Sequence, residues 1–289
     1  MRWMITDSGM GGLSVCAGLE KGLTEEGLGQ GLEIIYVNAT PEEHLGYNSL
    51  KTQSERIAMF DRFISASYQR FNPDEIAIAC NTLSVIYDET LFSKWSPVVV
   101  KGIVDAGVKM SNYNLAQHTD QDLIVFATET TTEADTYPQS IISNTGNVVG
   151  QACPDLASAI SKDASGVASK KLIEIYVKEA LSHIGEDKKK ISALLACTHY
   201  GYQAELFREI LEQYGITPTI LDPNQLMVKQ LLDELSEPTS GSELKVRFVS
   251  RFPIPSREVE AMGSYLDQAP LTLNALHHQE VIPDLFELE

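Results

Sequence analysis

Glu75-Ile76-Ala77-Ile78-Ala79-Cys80-Asn81-Thr82 and Ser192-Ala193-Leu194-Leu195-Ala196-Cys197-Thr198-His199-Tyr200 are two versions of one pattern. Each is an apolar run of strand length, then a cysteine, then two small or polar residues, then a helix-like pattern. A continuous apolar run of this length reads as a strand buried on both faces, as in parallel sheets. The turn that follows lies where open α/β sheets bind ligands, at the carboxyl ends of their strands. The two cysteines stand 117 residues apart (197 − 80). Two thiols in equivalent turns suggest two half-sites facing one cleft.

Outward from that pair, strands and helices alternate. A first strand over 2–6 leads into Asp7-Ser8-Gly9-Met10-Gly11-Gly12-Leu13-Ser14 and a helix to about residue 23. Glycines here let the backbone turn tightly or approach a ligand. Their spacing does not fit the dinucleotide fingerprint, and no lysine follows as in a P-loop. The loop is therefore a tight turn or an anion cradle. Further strands are expected over 33–38, 75–79, 97–100, 123–127, 148–151, 191–196, 217–221 and 244–249. Helices are expected over 49–70, 170–184, 202–214, 224–235 and 256–266. Residues 39–48 form a polar loop with His44 and Tyr47, and residues 237–242 form another loop. The hydroxyl-rich turn at Thr128-Glu129-Thr130-Thr131-Thr132 caps a helix or holds a ligand. This rhythm predicts an α/β protein with parallel sheets covered by helices on both faces.

The chain of 289 residues can bury one large or two medium cores, and its 43% apolar content is ordinary for a globular protein. No apolar stretch is long enough to span a bilayer, and the N-terminus lacks the apolar core of a signal peptide. A cytoplasmic protein is expected. The net charge of −18 argues against nucleic acid and anionic membranes as partners. It also requires local donors wherever an anionic substrate binds. The four cysteines, Cys16, Cys80, Cys153 and Cys197, form no zinc or C-x-x-C spacing and are expected to be thiols in a reducing compartment.

Ionising a thiol of ordinary pKa near 8.5 at neutral pH costs roughly 2 kcal/mol. A following helix N-terminus returns about 0.3–1 kcal/mol, so nearby donors such as Asn81, Thr82, Thr198 and His199 must add to it. Several uses stay open for such a pair. A protease would need a separate imidazole, and His199 is only two residues from Cys197. Zinc would want four ligands. A disulfide switch needs the strand ends within reach. Acid–base work on opposite faces of one carbon needs one thiolate and one thiol. The packing of a cysteine as a small buried hydrophobe is the plain alternative for either.

The segments Asp7-Ser8-Gly9-Met10-Gly11-Gly12-Leu13-Ser14, Ala79-Cys80-Asn81-Thr82 and Cys197-Thr198-His199-Tyr200, in this order and spacing, resemble the aspartate/glutamate racemase family. Ala127-Thr128-Glu129-Thr130-Thr131, Ala152-Cys153-Pro154 and residues 244–266 extend the resemblance over nearly the whole chain. It implies two similar parallel-sheet α/β domains related by a pseudo-twofold, with the active site in the cleft between them. Residues 1–99 and 223–289 would form the first domain and 100–222 an inserted second. The implied activity is cofactor-independent racemisation of an acidic amino acid, glutamate first and aspartate second, with a homodimer as a family-level expectation. A non-catalytic binding protein on the same scaffold is the alternative.

Carried over by motif, Cys80 and Cys197 are the catalytic thiols, with Asp7 and His199 beside them. Ser8, Asn81, Thr82 and Thr198 would hold the substrate's carboxylate and amine. Tyr47 and Asn48, with Thr128 and Thr131, would line the same cleft. Cys16 has no family role, and Cys153 supports a strand end. Four positions depart from the family's pattern, the first being Gly46 in place of a proline before the tyrosine. Asn48 replaces a glycine after the tyrosine, Gly201 replaces a proline, and Ser161 stands where many relatives carry an acid, with Asp163 nearby.

Overall fold

The computed structural model describes residues 1–43, 45–118, 121–142, 146–184, 190–235 and 242–288. His44 and residues 237–241 of the two expected loops lie outside them. Ten strands follow in chain order: β1 Arg2–Asp7, β2 Glu33–Asn38, β3 Glu75–Ile78, β4 Val99–Gly102, β5 Asp122–Ala127, β6 Val148–Ala152, β7 Lys190–Ala196, β8 Thr217–Leu221, β9 Lys245–Ser250 and β10 Glu280–Val281. They build a six-stranded sheet, β10-β9-β2-β1-β3-β4, and a four-stranded sheet, β6-β5-β7-β8. Every pairing between these strands is parallel. The order β2-β1-β3-β4 within the first sheet recurs as β6-β5-β7-β8 in the second, so the repeated cysteine pattern sits on a repeated topology.

Each sheet is buried on both faces, which is why its central strands carry unbroken apolar runs. Trp3 and Ile5 of β1, with Ile34 and Tyr36 of β2, enter one core. Met4, Ile35 and Val37, on the opposite face, enter a second with Ile76 and Ile78 of β3. The four-stranded sheet repeats this, Phe126 and Leu195 facing one core and Val125 and Leu194 the other. Cys16 is fully buried in the first core, in keeping with a packing role.

Several boundaries move for local reasons. The helix expected over 49–70 is Gln53–Phe71, because Thr52 and Glu55 form a capping box at its start. It ends where Asn72 takes the left-handed conformation, φ 44°, ψ 59°. β4 pairs with β3 through Gly102, so the chain leaves the first sheet three residues beyond the boundary expected at 99/100. The helix expected from 170 starts at Val167. Helices over Ile103–Gln117, Leu156–Lys162 and Pro270–His277 were not expected from the sequence.

Candidate active site

The carboxyl ends of strands from both sheets meet around one cavity of about 470 Å³. Asp7 closes β1, and Cys80 lies two residues beyond β3, its immediate neighbour in the sheet. Thr128 follows β5 and Cys197 follows β7, again adjacent strands. The cavity thus lies where β1 and β5 each have connections departing to opposite sides, the position at which open α/β sheets bind ligands.

Both thiols line this cavity, Cys80 at 4% exposure and Cys197 at 6%. Ser8 Oγ lies 3.3 Å from Cys80 Sγ, and His199 Nδ1 lies 3.9 Å from Cys197 Sγ. Asp7 joins the two halves. Its Oδ2 accepts from the Gly12 amide at 2.8 Å and, across the cleft, from the Thr198 hydroxyl at 2.6 Å. The Thr198 carbonyl is held in turn by Asn224 Nδ2 at 3.0 Å. Two hydroxyls fix the loop after β1, Tyr36 donating to the Gly9 carbonyl and Thr40 to that of Ser8.

The glycines of this loop serve close packing. A Cβ at Gly11 would stand 2.4 Å from Thr198 Oγ1 and 2.5 Å from His199 Nδ1. At Gly12 it would stand 2.9 Å from the Ala79 carbonyl. The tight-turn reading is the one the structure supports, because the loop is wedged between the two cysteine turns.

Of the residues proposed from sequence, Asp7, Ser8, Tyr47, Asn48, Cys80, Asn81, Thr82, Thr128, Cys197, Thr198 and His199 all line the cavity. Thr131 does not. It stands behind Thr128, whose side chain caps the short helix Glu129–Glu133 by accepting from the Thr131 amide. Thr128 Oγ1 also bonds Thr82 Oγ1 at 2.9 Å, a hydroxyl contact across the cleft. Asn48 meets the second half too, its Oδ1 accepting from Thr130 Oγ1 at 2.7 Å. Ser161 lines the cavity, whereas Asp163 is not among its lining residues and instead accepts from Ser165 and Ala168 amides at the start of the helix Val167–Ser182. Cys153 lines the cavity as well, its amide bonded to the Ala127 carbonyl at the end of β5.

Helix N-termini were expected behind both thiols, and only one is there. The helix Asn81–Tyr87 starts directly after Cys80. After Cys197 the chain first makes a 3₁₀ turn, Tyr200–Gln203, and the α-helix begins at Ala204. Gly201 leaves room for Asn224 and Asp222, which a Cβ there would meet at 2.7 and 2.9 Å. Lys162, Glu43, Glu129 and Glu258 also border the cavity, and sequence reasoning gave no signal for them.

Burial dominates the electrostatics. It pushes the Cys80 thiol up to about 12, with the Asp7 charge adding and the Ser8 hydroxyl opposing. Cys197 is raised well above the usual thiol range, first by burial. Burial also raises Asp7 to about 6, against the opposing Thr198 and Gly12 hydrogen bonds. His199 is lowered to about 4 by burial and is neutral at physiological pH. Both sulfurs are therefore thiols at neutral pH. Two buried polar atoms of cavity-lining residues, Tyr47 Oη and Asn81 Nδ2, have no hydrogen-bond partner among the described residues. Such atoms cost free energy unless something pairs with them. Among the described residues no group of three His, Cys, Asp or Glu side chains could hold a metal ion, and no helix is long and apolar enough to cross a membrane.

No family model matches the chain. Glutamate racemase 3 of Caldanaerobacter subterraneus subsp. tengcongensis is 28% identical over 249 residues, covering 84% of this chain and 83% of that protein. A glutamate racemase of Oceanobacillus iheyensis is 25% identical over 255 residues, covering 84% and 87%. The fold matches crystal structures of glutamate racemases from Bacillus anthracis (TM-score 0.70, 19% identity, 91% and 93% covered) and Francisella tularensis (TM-score 0.69, 21% identity, 92% and 93% covered). The latter was solved in complex with D-glutamate. With the three motifs in register on a doubled α/β topology, the chain is similar to glutamate racemases along most of its length.

Proposed function

We propose that the protein interconverts L- and D-glutamate by a two-base mechanism in which Cys80 and Cys197 act on opposite faces of the α-carbon. The observation that carries this reading is the pair of thiols lining one cavity, each beside its own polar partner, Ser8 or His199. Asn81, Tyr47 and the hydroxyls of Thr82 and Thr128 receive the carboxylates, the unpaired Asn81 amide and Tyr47 hydroxyl gaining partners on binding.

Ionisation is the difficult step. Forming a thiolate at Cys80 in the empty site costs about 7 kcal/mol at pH 7, five units at 1.36 kcal/mol each. That is well beyond what a helix terminus returns. A substrate ammonium about 4 Å away supplies about 4 kcal/mol at an effective dielectric of 20. Asp7, titrating near neutrality, takes the thiol proton and thereby removes the charge that opposes ionisation. The thiolate then abstracts the α-proton. The carbanion takes a proton from the other thiol on its far face, completing inversion, and the roles exchange for the other enantiomer. Water exclusion and fixed donors around the substrate carboxylate lower the energy of the carbanion. In a bacterial cell the D-glutamate formed would serve peptidoglycan synthesis.

The test is incubation of the pure protein with L-glutamate, and separately with L-aspartate, in D₂O. Decay of optical rotation with deuterium entering at Cα is expected with glutamate. Cys80→Ser and Cys197→Ser should each reduce racemisation by more than about 10³-fold, since a serine hydroxyl is a far weaker acid. Near-normal rates in either variant would overturn the two-base assignment.

A further inference from the structure

We infer that Tyr137 is a positioning residue whose hydroxyl sets the orientation of the Asn81 side-chain amide, so that its nitrogen faces the cavity as a ready donor for the substrate's carboxylate. The inference rests on the proposed function for the identity of the substrate.

Tyr137 lies in the short helix Thr136–Ser140, which the chain enters through a left-handed residue, Asp135, at φ 53°. It is fully buried and does not line the cavity. Its hydroxyl donates to Asn81 Oδ1 at 2.5 Å, a contact from the second half of the molecule to the residue after Cys80 in the first. The ring rests against Gly107 of the helix Ile103–Gln117, where a Cβ would stand 2.5 Å from the hydroxyl oxygen. That glycine leaves the space the phenol needs.

A side-chain amide offers an acceptor at one end and two donors at the other, and its neighbours decide which end faces which way. Here the Tyr137 hydroxyl has no partner but Asn81 among the described residues. With its hydrogen directed to Oδ1, the phenol is satisfied and Asn81 Nδ2 remains buried and unpaired. The reverse orientation would leave the phenolic hydrogen without an acceptor and present an oxygen to an anionic ligand. Burial keeps the phenol far above its usual range, so it stays a donor at every working pH. The donor at Nδ2 is thereby oriented before substrate arrives, and the substrate does not have to turn it.

Tyr137→Phe keeps the ring and deletes the one atom that orients the amide. It should raise KM for glutamate about tenfold, with kcat changed by less than about threefold, as expected for one charge-assisted hydrogen bond left unoriented. In an Asn81→Ala background the same substitution should have no further effect on KM. An unchanged KM for Tyr137→Phe overturns the inference, and so does an equal effect in the two backgrounds. A second measurement uses the unaltered protein. The Asn81 carboxamide signals, assigned by their loss in Asn81→Ala, should shift on adding D-glutamate, and a titration to saturation without a shift overturns the inference. The D₂O assay is read separately. Loss of the proposed activity there leaves the carboxamide titration to judge the orientation of Asn81.

Discussion

Replacing Asp7 by asparagine should make the protein more stable and less active, and the gain should grow with pH. Both hydrogen bonds to Asp7, from Gly12 and from Thr198, converge on one oxygen, Oδ2. An asparagine carbonyl oxygen placed there accepts both. What the substitution removes is a buried negative charge whose pKa is raised from 3.8 to about 6, chiefly by burial. A carboxyl raised in the folded state contributes stability that is complete below its unfolded pKa and lost as pH rises through its folded one. From 3.8 to about 6 the loss amounts to about 3 kcal/mol at pH 7.5 and about 1.6 kcal/mol at pH 5. Asparagine escapes both losses. It forfeits the acceptor for the Gly9 amide, about 1 kcal/mol at either pH.

The expected net gain for Asp7→Asn is therefore about 2 kcal/mol at pH 7.5 and roughly 0.6 kcal/mol at pH 5. Urea unfolding of both proteins at the two pH values measures it, and all other carboxyl groups cancel in the comparison. The decisive quantity is the change between the two conditions, about 1.4 kcal/mol, because the Gly9 loss does not titrate. A stability difference that stays constant with pH, or that favours the native protein more at pH 7.5, would refute the argument that Asp7 is held ionised at a cost. Racemisation by the same variant should fall by at least about 10²-fold, since the proposed acceptor of the thiol proton is gone.

The pH dependence of kcat/KM should show an acid limb near 6 from Asp7, activity falling as the carboxylate protonates, and no inflection from His199, which stays neutral above about 4. Asp222, also raised to about 6 by burial but outside the cavity lining, is the control: Asp222→Asn should retain the limb. Gly11→Ala should cut kcat/KM by about 10²-fold or more, because its methyl group must push Thr198 and His199 away from Asp7. Urea unfolding of that variant should also show a loss of about 1–3 kcal/mol, the usual cost of overpacking.

How far the sequence reaches can be seen at Cys80 and Cys197. Both follow strands buried on two faces, and such strands announce themselves by unbroken apolar runs at Ile76–Ala79 and Ala193–Ala196. Residues in the turn after such a strand are brought to the cleft by chain connectivity alone. Asn81, Thr82 and Thr198 were therefore legible from their place relative to a strand end, whereas Asp7, Ser8 and the cleft role of Thr128 came from the family resemblance. The helix Ile103–Gln117 was not. Its buried residues include Ser111 and Asn114 as well as Ile103 and Leu115, so no clean apolar stripe marks it. Thr131 shows the limit within a single turn. One residue of the run Thr130-Thr131-Thr132 looks like another until the Thr128 cap fixes which hydroxyl faces inward.

The thiol pKa values mark a different boundary. From sequence, ionising a cysteine at neutral pH looks like a cost of roughly 2 kcal/mol, within reach of a helix terminus and a few donors. Enclosure multiplies that cost, and enclosure arises from two sheets closing on each other, which no local pattern encodes. The same closure brings Tyr137 to Asn81 across 56 residues and Thr198 to Asp7 across 191. A site assembled from two halves can thus hold both thiols neutral while Asp7 stays ionised at neutral pH. On the proposed function, the ammonium and carboxylate of the substrate provide the missing charge and hydrogen-bond partners together. On that reading, reactivity depends on occupancy, and the two buried thiols are protected from side reactions until substrate binds.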